Sequence, residues 1–502
     1  MRRKGLILVA ALLVSAGLAW GLAVWFGAAG AGPAIEPAED DPETSAEGFG
    51  DRGPDLEAQA RAELEARLDR DYPMHGVVTA AQIPVRAASD REAQVIGWLR
   101  LGGHVRAHRE PLVSPRCATG WYELYPRGWA CAGQGIDMSE TPPEDHDGSA
   151  QRDAALPYRY LVVTQPQTPE YHQLPSRDQQ RAAAEHGARY AEMLNAGQER
   201  RAGLLREGRL ANEPASPAIV ARYLHRNFYV ASNGVETRND RRFVRTVRGS
   251  YVREAELEER TGTELHGVEL DETTTLPIAW AVRTSTPLRR VVHPDESVHI
   301  RPNPDAPTWE RQVIVPWLRR ENVEGRDYHV VDIGGGQEGY LRRWFVAVAE
   351  AIEPPAGVRD DEPWVHVDLS EQTLVLYRGS RPTYATLVST GLEGHDTPVG
   401  EFRIHRKYVS DTMANLGPDA GDDSYRIDDV PWTQYFAGSI ALHGAFWHHR
   451  FGLRRSHGCV NLSPRDARYV FSQTWPEVPL GWHGVSTDRG TGFEGSRVLV
   501  TE

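Results

Sequence analysis

Apolar residues in this chain recur at intervals of two, in short runs separated by Gly, Pro, Asn, Asp and Ser. That period suits a strand with one buried face and not a helix, whose apolar stripe returns every three to four residues. Such runs cover 82–86, 94–99, 104–108, 121–124 and 128–131, then reappear at 160–164 and 243–252. They return across 276–354 and again at 364–369, 373–377, 386–389 and 401–404. The fold class is therefore mainly β. A chain of 502 residues is too long for one core, so several units are expected.

Their boundaries follow from shifts in composition. Residues 32–75 begin as a tether rich in Ala, Pro, Glu, Asp and Gly and end in a charged spacer helix. Residues 76–136 read as a small β-barrel, and 137–157 as an acidic linker containing Pro142-Pro143. The unit at 158–275 is interrupted by an Ala/Glu/Arg-rich helical insertion over 177–209. A further β unit spans 276–355, and its Gly339-Tyr340-Leu341-Arg342 weakly repeats Gly249-Ser250-Tyr251-Val252-Arg253. Gly334-Gly335-Gly336 has no following Lys-Ser/Thr, so it is read as a hairpin turn and not a phosphate loop. Pro354-Pro355 opens the last unit, 363–500. A net charge of −14 argues against a general nucleic-acid binder, which would need a basic face.

Arg2, Arg3 and Lys4 precede an uncharged apolar run from Gly5 to Phe26, long enough to span a hydrocarbon core. Residues 1–31 are either a signal anchor or, with the small residues Ala29-Gly30-Ala31, a cleaved signal peptide. Both readings export the rest of the chain to the periplasm or cell envelope, the first with an inner-membrane anchor. In that oxidising setting Cys117 and Cys131 are expected to form a disulfide, leaving Cys459 as the unpaired thiol.

Around Cys459 the chemistry concentrates. His443-Gly444 precedes Ser456-His457-Gly458-Cys459-Val460-Asn461 in one stretch. A thiol becomes a strong nucleophile once an imidazole draws off its proton or holds the thiolate as an ion pair. The N–H groups of Gly458 and Cys459 are candidates to face a developing oxyanion. A zinc site built from His443, His448, His449, His457 and Cys459 is disfavoured by the His457-x-Cys459 spacing. His448-His449, beside Trp447, is read as a surface loop. Arg450, Arg454 and Arg455 form a basic patch that is either simply solvated or attracts carboxylates.

Ser-His-Gly-Cys-Val-Asn preceded by His-Gly resembles the signature of the L,D-transpeptidase (YkuD-type) catalytic domain. Thr397-Pro398-Val399-Gly400-Glu401-Phe402 is similar to that family's upstream segment, and Asp368-Leu369-Ser370-Glu371-Gln372 to its opening hairpin. The order Val85, Val95-Ile96-Gly97, Gly120-Trp121-Tyr122, Gly128-Trp129 resembles a bacterial Src-homology-3-like module. These resemblances imply a β-sandwich-like catalytic domain preceded by SH3-like barrels, one carrying the helical insertion. They imply Cys459 as nucleophile, His443 as base oriented by the Gly444 carbonyl, and His457 as the motif histidine near the thiol. Ser456, Gly458 and Asn461 would hold structure or substrate, Arg455 would meet stem carboxylates, and either Tyr425 or Tyr435 would border the oxyanion site. The implied reaction is acyl transfer from a peptidoglycan tetrapeptide stem, with release of terminal D-alanine. The acceptor would be an amine of a second stem, a free D-amino acid or a wall-anchored protein. Water as acceptor would make the chain an L,D-carboxypeptidase, and loss of activity would leave a wall-binding scaffold. No cofactor or metal is required.

Overall fold

In the computed structural model the chain is described over residues 54–143, 149–415, 425–487 and 493–502. The segment expected at 1–31 and most of the tether lie outside the described residues. Residues 60–502 form one compact unit, and of Met1–Gln59 only the start of the helix Pro54–Asp71 is described. Among the described residues no helix is long and apolar enough to cross a membrane.

The C-terminal region is built from sheets that share one core. A 6-stranded sheet runs in the order Val268–Glu269, Arg381–Leu387, Thr373–Arg378, Pro363–Asp368, Arg497–Thr501, Gly400–Arg403. Its opening turn forms because the Asp368 carboxylate accepts from the N–H groups of Ser370 and Glu371, both at 2.8 Å, and Gln372 adopts φ +56°. Facing it, a long hairpin pairs Arg406–Asn415 with Tyr425–Ala437. Ile440–Gly444 adds antiparallel to the hairpin, and Val460–Leu462 adds parallel to Ile440–Gly444. Val365, Val367, Leu374 and Leu376 of the first sheet pack with Val409, Trp432, Leu442 and Val460 of the second. Each such side chain contributes about 1.5–3 kcal/mol through burial. The helix Pro464–Gln473 covers this core, its N-terminus capped by Ser463, whose Oγ accepts from the Asp466 N–H at 3.1 Å.

The β units ahead of this region are fused to it. Gly97 and Trp98 pair with Val485 and Gly484, so Ile83, Val85 and Ile96 share a core with Trp482 and Val485. The first unit is wider than 76–136, because Met74 pairs with Ala107 and Ser139 with His75. The expected linker over 137–157 is corrected. Arg152 donates to the carbonyls of Pro479 (2.9 Å) and Val478 (2.6 Å), and the Trp432 indole donates to that of Ala155 (2.6 Å). Its backbone is thus bound to the C-terminal core. Val268 and Glu269, expected in the middle unit, pair instead with Ala385 and Tyr384 of the 6-stranded sheet. The insertion of the middle unit forms helices Arg177–Asn195 and Glu199–Arg206, the first opened by a Ser176/Gln179 capping box. Gly334, Gly335 and Gly336 all have positive φ in the turn between Arg326–Asp332 and Glu338–Arg342. Cys117 and Cys131 are joined by a disulfide inside the first unit, with Cα atoms 6.0 Å apart.

Candidate active site

The site grows from the parallel pairing of Ile440–Gly444 with Val460–Leu462. Leu442 lies opposite Val460, His443 opposite Asn461 and Gly444 opposite Leu462. One residue back, Cys459 falls beside Ala441, whose backbone hydrogen-bonds the thiol. Cys459 directly precedes the strand Val460–Leu462, and carrying that parallel register back one residue puts it two positions from His443 along the neighbouring strand. A rise of about 3.3 Å per residue and a strand spacing of about 4.8 Å put their Cα atoms roughly 8 Å apart, within reach for the two side chains.

His443 is 2% exposed and has Trp447 stacked at 5.7 Å between ring centroids. Its Nδ1 lies 3.2 Å from the Gly444 carbonyl, which can only accept, so Nδ1 carries the proton and Nε2 keeps its lone pair. Burial pulls the imidazole down to about 4, against the opposing pull of the Gly444 carbonyl. Cys459 remains partly exposed, with Sγ 3.9 Å from the Ser439 carbonyl. Burial raises its thiol to about 11, eased by the Ala441 backbone. With Nδ1 committed to the Gly444 carbonyl, the imidazole keeps Nε2 as a proton acceptor, which suits proton removal.

The loop before Cys459 is tied by short-range bonds. Ser456 Oγ donates to the Cys459 carbonyl (2.5 Å) and accepts from the Gly458 N–H (3.1 Å). The Gly458 N–H is therefore engaged in this state, a correction to its assignment as an oxyanion donor. Gly458 sits at φ +109°, where a Cβ would come within 2.7 Å of the Ile440 side chain. Thr397 Oγ1 donates to the Gly458 carbonyl (2.8 Å) and accepts from the Gly391 N–H (3.0 Å). The Thr390 carbonyl accepts from the N–H groups of Arg455 and Ser456, at 2.8 and 2.9 Å. Gln372 brackets Thr390 in turn, with its amide donating to Thr390 Oγ1 (2.6 Å) and its oxygen accepting from the Thr390 N–H (2.9 Å). The opening hairpin thus holds the strand on which the cysteine loop rests.

Asn461 is 3% exposed, and its amide meets His448 Nε2 at 2.9 Å. His448 is itself 7% exposed, so the reading of His448-His449 as a surface loop is wrong for His448, which is buried and supports Asn461. His457 is exposed at the rim, its ring 4.5 Å from that of His395 and 5.4 Å from that of Tyr425. Tyr425 and Tyr435 both lie within electrostatic reach of Cys459. The Tyr435 hydroxyl donates to Asp411 at 2.8 Å, whereas Tyr425 stands beside His457. Arg455 is exposed, with its charge felt at His448 and Tyr229. The sequence reading missed the supporting roles of His448, His395, Gln372 and the bridge residues 389–391. The one available signal was the nearness of His395 to the Thr397 motif.

A family model described as the L,D-transpeptidase catalytic domain, YkuD, matches residues 362–491. YciB of Bacillus subtilis (strain 168), named as an L,D-transpeptidase, is 23% identical over 133 residues, covering 23% of this chain and 62% of that protein. The chain therefore spans less than two thirds of that relative. An Enterococcus faecium L,D-transpeptidase structure is 20% identical, with a TM-score of 0.22 over 28% of this chain and 50% of the other. One from Mycobacterium smegmatis is 17% identical, with a TM-score of 0.23 over 49% and 90%. With the family model and the Ser456–Asn461 motif in register beside His443, residues 362–491 are a YkuD-type L,D-transpeptidase catalytic domain.

Proposed function

We propose that this chain is an exported peptidoglycan L,D-transpeptidase that works by cysteine acyl transfer. The observation that carries the reading is the Gly444-oriented His443 in parallel register with Asn461, two residues after Cys459. Cys459 Sγ attacks the carbonyl of the third residue of a tetrapeptide stem as His443 Nε2 takes the thiol proton. The tetrahedral oxyanion is met by the Cys459 N–H, with Tyr425 bordering it. On collapse the bond to terminal D-alanine breaks, and the proton passes from His443 to the departing amine. An acceptor amine then attacks the thioester, loses its proton to His443 and returns Cys459 to the thiol. Arg455 attracts stem carboxylates, while Ser456 and Asn461 hold the loop and its strand. The preceding β units, read as SH3-like, bind glycan or peptide or set the height of the site above an inner membrane anchored by residues 1–31.

The test is intact mass spectrometry of the soluble chain incubated with a purified disaccharide-tetrapeptide. The expected product is a Cys459 adduct equal to the muropeptide minus D-alanine. Release of D-alanine without Cys459 modification, or no adduct at all, overturns the reading.

A further inference from the structure

The long hairpin carries both tyrosines near Cys459, yet it is irregular close to its middle. Its register shifts between Asp411 and Met413, and Asp429 sits at φ +59°. At that point it buries two adjacent carboxylates, Asp428 at 3% and Asp429 at 1% exposure. Their arginine partners from outside the hairpin come from the units ahead of the catalytic domain. Arg100, at the end of strand Val95–Arg100, donates from Nη1 to the Asp429 carboxylate and to Ser410 Oγ (3.0 Å). Arg222, in strand Val220–Leu224, bridges the Glu170 carboxylate and Asp428 Oδ2, the latter at 2.6 Å. Arg248 donates to Thr412 Oγ1 and brings its Nε to 3.7 Å from Asp429 Oδ2. The buried Tyr160 hydroxyl donates to the Asp429 carbonyl at 2.6 Å, and Tyr229 pairs with Ile427 across the boundary. Within the hairpin, Arg426 reaches Asp428 Oδ1 at 2.8 Å, and Thr412 Oγ1 accepts from the Asp429 N–H at 3.3 Å.

A buried carboxylate that loses its partner becomes an uncompensated charge, and the backbone relieves it by moving toward water. Here the backbone that would move is the strand Tyr425–Ala437, which begins with the tyrosine packed on His457.

We propose that Arg100, Arg222 and Arg248 are positioning residues for acyl transfer, clamping the hairpin so that Tyr425 and Tyr435 stand at Cys459. The proposal rests on the acyl-transfer reading for its kinetic consequence but not for the clamp itself. The catalytic domain is then completed by its neighbours: the units ahead of residue 362 supply counter-charges beyond Arg426, the one that its own hairpin offers to Asp428.

The test uses the full soluble chain as wild type, Arg222→Gln, Arg100→Gln and the double variant Arg222→Gln/Asp428→Asn. Hydrogen–deuterium exchange over 406–437 reads the hairpin directly. Single-turnover acylation by disaccharide-tetrapeptide reads its consequence, and iodoacetamide alkylation of Cys459 against pH reads the thiol. The expected result is faster exchange in both single variants and a fall of roughly tenfold or more in the saturated acylation rate. The alkylation pH profile stays unchanged, because Cys459 in its loop and His443 in strand Ile440–Gly444 both lie outside the hairpin. Removing the stranded charge in the double variant restores both exchange and rate to within about threefold of wild type. Unchanged exchange in both single variants overturns the clamp, whatever the activity. Faster exchange with a wild-type acylation rate overturns the positioning role. If the wild type acylates nothing while Arg222→Gln loosens the hairpin and the double variant restores it, the clamp stands and the acyl-transfer reading falls.

Discussion

Two walls flank Cys459, and they are held by different physics. The loop 453–461 is pinned by neutral hydrogen bonds from nearby strands: Ser389, Thr390 and Thr397 meet it, and Gln372 fixes Thr390. These bonds depend on no charge and come from within the catalytic domain, and Arg454 adds only long contacts to Asp396 and Glu502, each at 3.8 Å. The opposite wall, the hairpin 406–437, depends on ion pairs contributed by Arg100, Arg222 and Arg248. A neutral hydrogen bond contributes about 1 kcal/mol net and fails gently, whereas stranding a buried carboxylate costs about 3–5 kcal/mol. Cys459 is therefore set locally and tolerantly. The wall that shapes its surroundings is set remotely and sharply.

The largest effect sharpens the local side. Cys459→Ala should abolish acylation while the melting temperature stays close to wild type, because the side chain is partly exposed and its bonds to the Ser439 and Ala441 backbone are weak ones of sulfur. Residual adduct formation in intact mass spectra would place the nucleophile elsewhere.

Next in size, His443→Ala should lower single-turnover acylation by a factor on the order of 10² or more. In the wild type the rate should rise with pH through the His443 titration at about 4 and stay level across neutrality until the thiol ionises at about 11. Below the first value the imidazole is protonated and cannot accept the thiol proton. Stability has the same sign. His443 is held neutral in the fold, so its contribution is full above about 6.5 and falls away as the pH drops towards 4. A limb centred near 8, measured as acylation rate against pH, would point to a free thiol titrating unaided.

A smaller effect is expected from Thr397→Val, which leaves the Gly458 carbonyl and the Gly391 N–H without their partner. We expect a loss of about 2 kcal/mol in denaturant unfolding and an acylation rate lower by roughly tenfold. If the rate falls without any loss of stability, the threonine acts on substrate and not through the loop.

The smallest effect on activity tests how far the remote side reaches. Replacing both Cys117 and Cys131 by Ser should cost about 3 kcal/mol in stability, since the bridge closes a separation of 14 residues. Acylation at 25 °C should remain at the wild-type rate while Arg100 stays on Asp429. A rate that drops in step with stability would show that the first unit touches the site through its fold as a whole.

Much of the site was legible in the chain because its determinants are short-range. The motif 456–461 closes on itself through Ser456 and Gly458, and the turn at 368–372 is written in Asp368. The period-two runs name the strands. His448 was misread because a histidine pair beside a tryptophan is polar on paper, and its burial against Asn461 depends on a strand pairing that adjacency does not reveal. The linker reading failed in part for a related reason. Composition reports that a segment could remain solvated, while the carbonyls of Val478 and Pro479 waiting for Arg152 are visible only once the chain has folded.

The sequence by itself determined the chemistry on offer: one unpaired cysteine, a histidine with its orienting glycine, and a glycine loop between them. Only the tertiary structure decided which charges face which. Arg100 and Asp429 lie 329 residues apart, and Arg222 and Asp428 lie 206 apart. In one dimension each reads as a solvated surface charge, and at such separations no local period or propensity couples them. Their pairing arises when strands from three units close on one hairpin and exclude water. Burial then turns ordinary surface charges into the counter-ions that position the site.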